Sequence, residues 1–519
     1  MKKLILIFAV LAFACNSSQK TVTETPKPQE VNVDPTDFAS TITEEELKEH
    51  LFTYASDDFE GRETGQPGQK KAVEYIKDYY EALGIPAAKA NGDYFQKVAL
   101  SISNVPEGKM VINGQDFPLG DDVLTFSKAE GTLHEIHYVG YGIEEGTYSD
   151  YQGMDVQDKV VLMKFGEPKN EDGTYVISGT DEQSVWSNMS ESIGKRADLA
   201  AQKGAKGVFY YDPDNFTRYK RYFEFMKTNN SGRMQLNAET KDDFLIFLND
   251  TAIDALYPNL KKDDGQAILS ASIDLQIEST DTQIDSENVV ALLKGSKKPE
   301  EYLVISSHLD HIGITADGKI NNGADDDGSG TVAMLEIAEA FKEAADQGMG
   351  PDRSIVFLHV TGEEKGLLGS QYYTDYEPIV PLKNTVANLN IDMIGRIDPK
   401  REGDRNYVYL IGSDKLSTEL HELSEAVNTR YTNIELDYTY NDENDPNRFY
   451  YRSDHYNFAK NNIPIIFYFN GTHEDYHRPG DTPDKINYDL LKNRSQLIFH
   501  TAWEVANRDN PVLVDKAIK

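Results

Sequence analysis

The chain has 519 residues, of which 52 are basic and 87 acidic, for a formal charge of −35, and 39% are hydrophobic. That length exceeds a single core at about 100–200 residues per domain; the 30 Tyr and 22 Phe exclude wholesale disorder, and so acidic a surface without a long Lys/Arg run excludes nucleic acid as a partner. One cysteine rules out a disulfide framework and a thiolate metal site, which leaves His, Asp and Glu as the metal donors.

Residues 1–14 read as an export signal: Lys2 and Lys3 precede an apolar run from Leu4 to Ala14, too short to span a bilayer as a mature helix. Ala12-Phe13-Ala14-Cys15 resembles a bacterial lipobox, although Ala12 stands where Leu is usual. That reading lipidates Cys15 and anchors the protein in the cell envelope. Asn16 lacks the Asp that marks inner-membrane retention in many such proteins, which points to the outer membrane with its face left open. The alternative is an ordinary signal peptide cut after Ala14. Residues 15–40, rich in Ser, Thr, Pro, Glu and Gln, read as a disordered tether, and no later segment is apolar enough to span a membrane.

A first portion of the main domain is predicted over residues 41–104. Thr43-Glu44-Glu45-Glu46 is a capping-box pattern ahead of Leu47, Leu51, Phe52 and Tyr54, Gly61-Arg62-Glu63-Thr64-Gly65 is a loop, and Lys70 to Leu83 carries apolar residues at helical spacing up to Gly84. Residues 105–280 read as an inserted, mainly β domain, with short strands at Ile136–Tyr141, Val160–Phe165, Gly207–Tyr211 and Phe244–Leu248 and one helix from Lys195 to Lys203. His134 and His137 lie three apart in a strand-like context, which does not fit the i, i+4 helical pair of a zincin and reads as structural.

From 281 to 519 apolar strands alternate with amphipathic helices: Tyr302–Ser306, Thr331–Ala345, Ser354–Val360, Val386–Ile391, Tyr407–Ile411, Lys415–Val427 and Ile463–Phe469. The fold class is therefore α/β, a mixed, largely parallel sheet flanked by helices, in which function gathers at the carboxyl ends of strands. Those ends hold His308-Leu309-Asp310-His311, Gly362-Glu363-Glu364 and Asn390-Ile391-Asp392; Gly323-Ala324-Asp325-Asp326-Asp327 and Tyr476-His477 lie in loops. Imidazoles and carboxylates gathered at one edge need a cation, and the mixture suits zinc. Asp325, Asp327, Ser329, Gly330 and Glu336 also fit an EF-hand spacing, but a Gly/Asn turn stands where its entering helix should be. Glu363-Glu364 closes an apolar strand, which argues against a merely solvated acidic pair.

Together with Ser453-Asp454-His455 and Gly61-Arg62-Glu63-Thr64-Gly65, these motifs resemble the di-zinc exopeptidase family that includes secreted bacterial leucyl aminopeptidases, glutamate carboxypeptidase and glutaminyl cyclase. The insert is similar to the protease-associated (PA) domain found in that family, through Val139-Gly140-Tyr141-Gly142-Ile143 and Gly204-Ala205-Lys206-Gly207-Val208. The resemblance implies two Zn2+ per chain, one on His308 and Asp392 and one on Glu364 and His477, with Asp325 bridging. It implies a nucleophilic water between them, Glu363 as general base, and Asp326 joined to the bridging Asp by a cis peptide. Asp310, two residues after His308, is expected to hold the second imidazole nitrogen. Tyr450, with Tyr451 one step away, matches an oxyanion-stabilising tyrosine; Arg396 is a candidate substrate contact and His455 a holder of the site's loop. His311, His359 and His473 read as non-ligands. The implied function is an exported metallopeptidase acting on peptides, an aminopeptidase first. The alternatives are a glutamate-type carboxypeptidase, a glutaminyl cyclase and a catalytically inactive receptor-like protein. Oligomeric state is not legible.

Overall fold

The computed structural model describes residues 34–228, 232–237 and 244–516. The expected signal, Cys15 and most of the tether therefore lie outside the described residues. The tether's expected end does not: Thr36–Ala39 form a helical turn, and Phe38 is buried and stacks on Trp503 with ring centroids 5.8 Å apart. The correction has a simple cause, since one aromatic residue in a polar stretch suffices when a partner lies nearly five hundred residues away in sequence.

Two helices open the main domain. In α1 (Glu44–Tyr54) the Thr43 hydroxyl caps the first turn by accepting from the Glu46 amide at 3.2 Å. In α2 (Pro67–Leu83) Pro67 occupies the first turn, and Gly84 ends the helix in the left-handed conformation that a residue without Cβ adopts freely. The main sheet then forms from β1 (Phe95–Ser103), β2 (Asp281–Leu293), β3 (Lys298–His308), β4 (Arg353–Val360), β5 (Thr385–Ile391), β6 (Tyr407–Ile411) and β7 (Ile465–Phe469). The strand Arg233–Leu236 and the strand Glu435–Asp437 complete its two edges.

The order across the sheet is Arg233–Leu236, β1, β2, β4, β3, β5, β7, β6, Glu435–Asp437. The four central strands β4, β3, β5 and β7 run parallel, whereas β1, β2 and β6 pair antiparallel to their inner neighbours. The expected α/β class holds, with parallel pairing confined to the centre and to the edge pair of β6 with Glu435–Asp437. Every residue of β4, β5 and β7 is buried, as continuous apolar strands require when helices cover both faces. One cover is α3 (Gly330–Asp346) with α4 (Tyr488–Asn507), whose Phe341, Phe499 and Trp503 rings pack together. The sequence pattern does not predict α4, because its apolar residues are interrupted by Lys492, Asn493, Arg494 and His500, two of which are buried.

Ser103 of β1 faces Asp281 of β2 across an antiparallel pair, so the chain leaves and re-enters the main sheet at adjacent points. Between them lies a second sheet of eight strands with its own apolar cores, accompanied by helices Met189–Gln202, Phe216–Thr228 and Asp250–Leu256. That is more helix than the turn-rich sequence predicts. Among the described residues no helix is long and apolar enough to cross a membrane.

Truncating Phe38 to Ala removes the ring that seats the amino-terminal turn on α4. The expected loss is about 3 kcal/mol of unfolding free energy, the usual scale for a buried Phe, read from a urea titration; an unchanged midpoint would mean that the turn does not hold to the core.

Candidate metal centre

The parallel strands β4, β3, β5 and β7 are neighbours, so their carboxyl ends present Glu363-Glu364, His308, Asp392 and the loop carrying His477 along one edge. The segment before α3 adds Asp325, Asp326 and Asp327 from the side. Asp326 stands at the centre. Its Oδ1 is 3.2 Å from His308 Nε2 and its Oδ2 is 3.1 Å from His477 Nε2. Asp392 Oδ1 lies 3.6 Å from His308 Nε2 and Glu364 Oε2 lies 3.0 Å from His477 Nε2. The residues thus sort into two groups that share Asp326.

This corrects the expected bridge. Asp325 points away: its carboxylate accepts from the Gly395 amide at 2.6 Å and from Asn470 Nδ2 at 3.0 Å, and lies 3.2 Å from His473 Nε2. Asp481 accepts from the backbone amides of both Asp325 and Asp326, which fixes this part of the loop. The cis peptide likewise joins Asp326 to Asp327, not Asp325 to Asp326. Asp327 is as deeply buried, and its two oxygens accept from the amides of His308, Gly330 and Met393, tying β3, α3 and the end of β5 together. Donor atoms also gather as His308, Asp327 and Asp392 and as His311, Asp326 and Glu364, but the Asp327 oxygens are already taken by three amides and His311 Nδ1 by Glu364.

Asp310 acts differently from expectation. His308 Nδ1 is 3.0 Å from the Asp310 carbonyl oxygen, while the nearer carboxylate oxygen is 4.0 Å away. That carboxylate instead accepts from Thr64 Oγ1 at 2.7 Å and from the Glu363 amide at 3.1 Å, and so sets the backbone that presents Glu363. The Gly61–Gly65 loop is anchored in turn by buried Arg62, which donates to the carbonyls of Asn322 and Gly323 at 2.7 and 2.8 Å.

The cleft beside this edge has an acidic wall of Asp326, Glu363 and Asp392, an apolar wall of Met393, Phe449, Phe467 and Phe469, and Tyr476, Arg452 and Thr472 at its sides. Tyr450 does not line it. Its ring packs among Tyr451, His455 and Tyr456 and against Gly412, because the turn Phe449–Tyr451 sends Phe449 into the cleft and Tyr450 out of it. Arg396 is not a cleft residue either; it reaches Asp475 at 3.3 Å and Asp481 at 3.9 Å and braces the loop before His477. His455 donates to or accepts from nothing in the cleft: its Nε2 is 2.7 Å from the Tyr450 carbonyl and its ring stacks on Phe467. His359 sits between the Tyr80 hydroxyl and Ser307, away from the cleft.

Several cleft residues escaped the sequence reading although signals existed. Phe467 and Phe469 alternate on β7 and therefore share a face. Tyr476 is half of the Tyr476-His477 motif, and Arg452 directly precedes Ser453-Asp454-His455. His311 closes the strand-end motif His308-Leu309-Asp310-His311 and reads as a non-ligand; it is fully buried with Nδ1 2.8 Å from Glu364 Oε1.

The electrostatics are those of a site built around positive charge. Burial would depress the His308 imidazole, but the Glu363 and Asp392 carboxylates and the Asp326 and Asp392 oxygens close to its Nε2 outweigh that and hold it well above its ordinary value. Burial likewise opposes protonation of His477, which Asp326 and Glu364 nonetheless raise to about 10. Glu364 feels burial and the Asp326 charge pushing it up, yet bonds from His311 and His477 keep it at about 2. Glu363 moves the other way: burial first, then Asp392, Glu364 and Asp454, push its carboxyl well above the usual range against the pull of His308.

Residues 288–502 match the profile of peptidase family M28, in line with the resemblance read from the motifs. The chain is 26% identical over 271 residues to aminopeptidase YwaD of Bacillus subtilis (strain 168), spanning 50% of this chain and 54% of that protein. It is 27% identical over 277 residues to a probable leucine aminopeptidase 2 of Aspergillus oryzae, spanning 48% and 51%. The chain thus spans about half the length of the curated relatives it matches. Among solved structures, an aminopeptidase from Aneurinibacillus sp. strain AM-1 aligns over 93% of this chain and 99% of that one at 19% identity and a TM-score of 0.47.

Two neighbouring substitutions separate the bridge from its brace. Asp326→Asn should lose divalent metal by elemental analysis after gel filtration, whereas Asp325→Asn should retain it while lowering the thermal midpoint. The reverse pattern would restore Asp325 as the shared ligand.

Proposed function

We propose that this chain, whose residues 288–502 match peptidase family M28, is a zinc-dependent aminopeptidase that removes residues from the amino termini of peptides. The observation that carries the reading is Asp326, with one oxygen beside each of two imidazoles and a further carboxylate next to each. The donor set fits zinc: among the described residues His308 Nε2 and Asp326 Oδ2 are buried with no hydrogen-bond partner, which is costly unless a cation takes them up. One ion would rest on His308, Asp326 and Asp392, and a second on Asp326, Glu364 and His477. Zinc held there supplies an electrophile for the scissile carbonyl and makes a water acidic enough to attack at neutral pH.

The chain's own groups do the rest. Glu363 stands at the acidic wall with Oε2 4.0 Å from His308 Nε2, where it can accept a proton from the attacking water and return it to the leaving nitrogen. Its backbone is fixed by Asp310, so the carboxylate is aimed before substrate arrives. Tyr476, half-buried beside His477 with ring centroids 4.0 Å apart, offers a phenol hydroxyl to the developing oxyanion. Met393, Phe449, Phe467 and Phe469 make a seat for an apolar side chain of the residue being removed. A carboxypeptidase is the second reading, favoured by Arg452, a guanidinium at the cleft that could meet a terminal carboxylate. The amino-terminal sequence adds export and a lipid at Cys15 to the proposal, and the inserted sheet is read as a PA-like domain.

Glu363→Gln should retain metal and lose turnover by about 10²–10⁴-fold, the range for an acid–base group; full turnover would remove Glu363 from the mechanism. The direction of cleavage is settled by mass spectrometry of a peptide mixture, each peptide with a free and an acetylated amino terminus. Aminopeptidase action shortens only the free set, from the amino end. Shortening of both sets from the carboxyl end would transfer the assignment to the carboxypeptidase.

A further inference from the structure

We propose that His311 is a positioning residue of the second cation site, holding Glu364 through a hydrogen bond from its Nδ1–H to Oε1 so that Oε2 is presented to the cation beside His477. The inference rests on the metallopeptidase reading for the cation itself, and on this chain's geometry for the role of His311.

Glu364 touches two imidazoles through different oxygens. His311 Nδ1 is 2.8 Å from Oε1, and His477 Nε2 is 3.0 Å from Oε2. The two rings differ in setting: the His311 side chain is 0% exposed and that of His477 38%. An ionised carboxylate only accepts, so the hydrogen on the short contact belongs to His311 Nδ1, and that nitrogen has no lone pair left for a metal. Its separation from Asp326 Oδ2 fits the same division, 3.8 Å against 3.1 Å for His477 Nε2. Among the described residues the other His311 nitrogen, Nε2, is buried without a hydrogen-bond partner. The bond to Glu364 is therefore the polar contact that orients the ring.

The fold also keeps a place for this ring. The His311 amide donates to the Arg62 carbonyl at 3.2 Å, tying it to the Gly61–Gly65 loop. Gly323, on the segment that carries Asp326, has φ +56°, and a Cβ there would lie 2.5 Å from His311 Cδ2. Glycine is needed on both counts. A Glu side chain rotates freely about its last bond and can offer either oxygen; a donor fixed on one oxygen leaves the other for the ligand position. Outer partners of this kind are commonly worth about 10–100-fold in metal affinity.

The test titrates metal-free wild type, His311→Leu, His311→Asn and His311→Gln with zinc against a chromophoric chelator, with thermal unfolding of each metal-free protein as a check on folding. Wild type should show two sites. His311→Leu should weaken one of them about 10–100-fold and leave the other within twofold. His311→Asn, whose amide reaches the place of Nδ1, should recover most of the loss, and His311→Gln, whose amide reaches toward Nε2, should not. If the leucine variant does not fold, the Asn and Gln pair carries the comparison. Equal affinities in that pair, or two unaltered sites in His311→Leu, would overturn the positioning role. A wild type that takes up fewer than two zinc ions would instead overturn the metallopeptidase reading from which the inference starts.

Discussion

Four carboxylates, those of Asp326, Glu363, Glu364 and Asp392, meet at the carboxyl edge of the central parallel strands in surroundings that exclude most water. Like charges at such distances repel strongly in a poorly polarisable interior. His308 and His477 answer that repulsion in part, being held protonated by the very carboxylates they face. A cation held between the same atoms answers it more fully, because a divalent ion replaces two protons and accepts the lone pairs that imidazoles and carboxylates offer. Much of the surrounding structure can be understood as the means of forcing these groups together.

That means is a layer of backbone clamps. Asp327 gathers three amides from three elements, Asp481 takes the amides of Asp325 and Asp326, Asp310 takes that of Glu363, and Arg62 grips the carbonyls of Asn322 and Gly323. Each clamp is buried, so each bond would be costly to leave unmade. Their burial also explains the high proton affinity of Asp327, raised above all by desolvation, and of Asp481, brought up to about 6 by burial and by the Asp325 charge. The acidic triplet before α3 thereby divides its labour: one residue faces the site and the two beside it hold the loop.

A helix of the insert bears on the same edge. Glu191, near the start of the insert's helix Met189–Gln202, pairs with Arg448 immediately before Phe449 of the apolar wall. Arg448 also lies over the Tyr451 ring at 4.7 Å. The turn that delivers Phe449 and Arg452 to the cleft is thus braced from the insert as well as from the main domain. The strand Arg233–Leu236 extends the main sheet beyond β1, so the insert is attached through its pairing as well as through its two connections.

The sequence by itself determined the α/β class, and it named the His, Glu and Asp residues that close the apolar strands, since these are recorded in residue order. Strands such as Gly207–Tyr211, Phe244–Leu248 and Tyr407–Ile411 were legible to the residue because each is a short apolar run between turn formers. What it could not determine was which of Asp325, Asp326 and Asp327 faces the imidazoles. Three identical side chains in a row carry no register of their own; the Gly395 and Asn470 donors that claim Asp325 and the amides that claim Asp327 come from segments remote in the chain. The same reason separates Tyr450 from Tyr476 and gives His311 its place. Only the tertiary structure decided these, because a side chain's role at a buried site is fixed by which partners the folded chain brings within hydrogen-bonding reach.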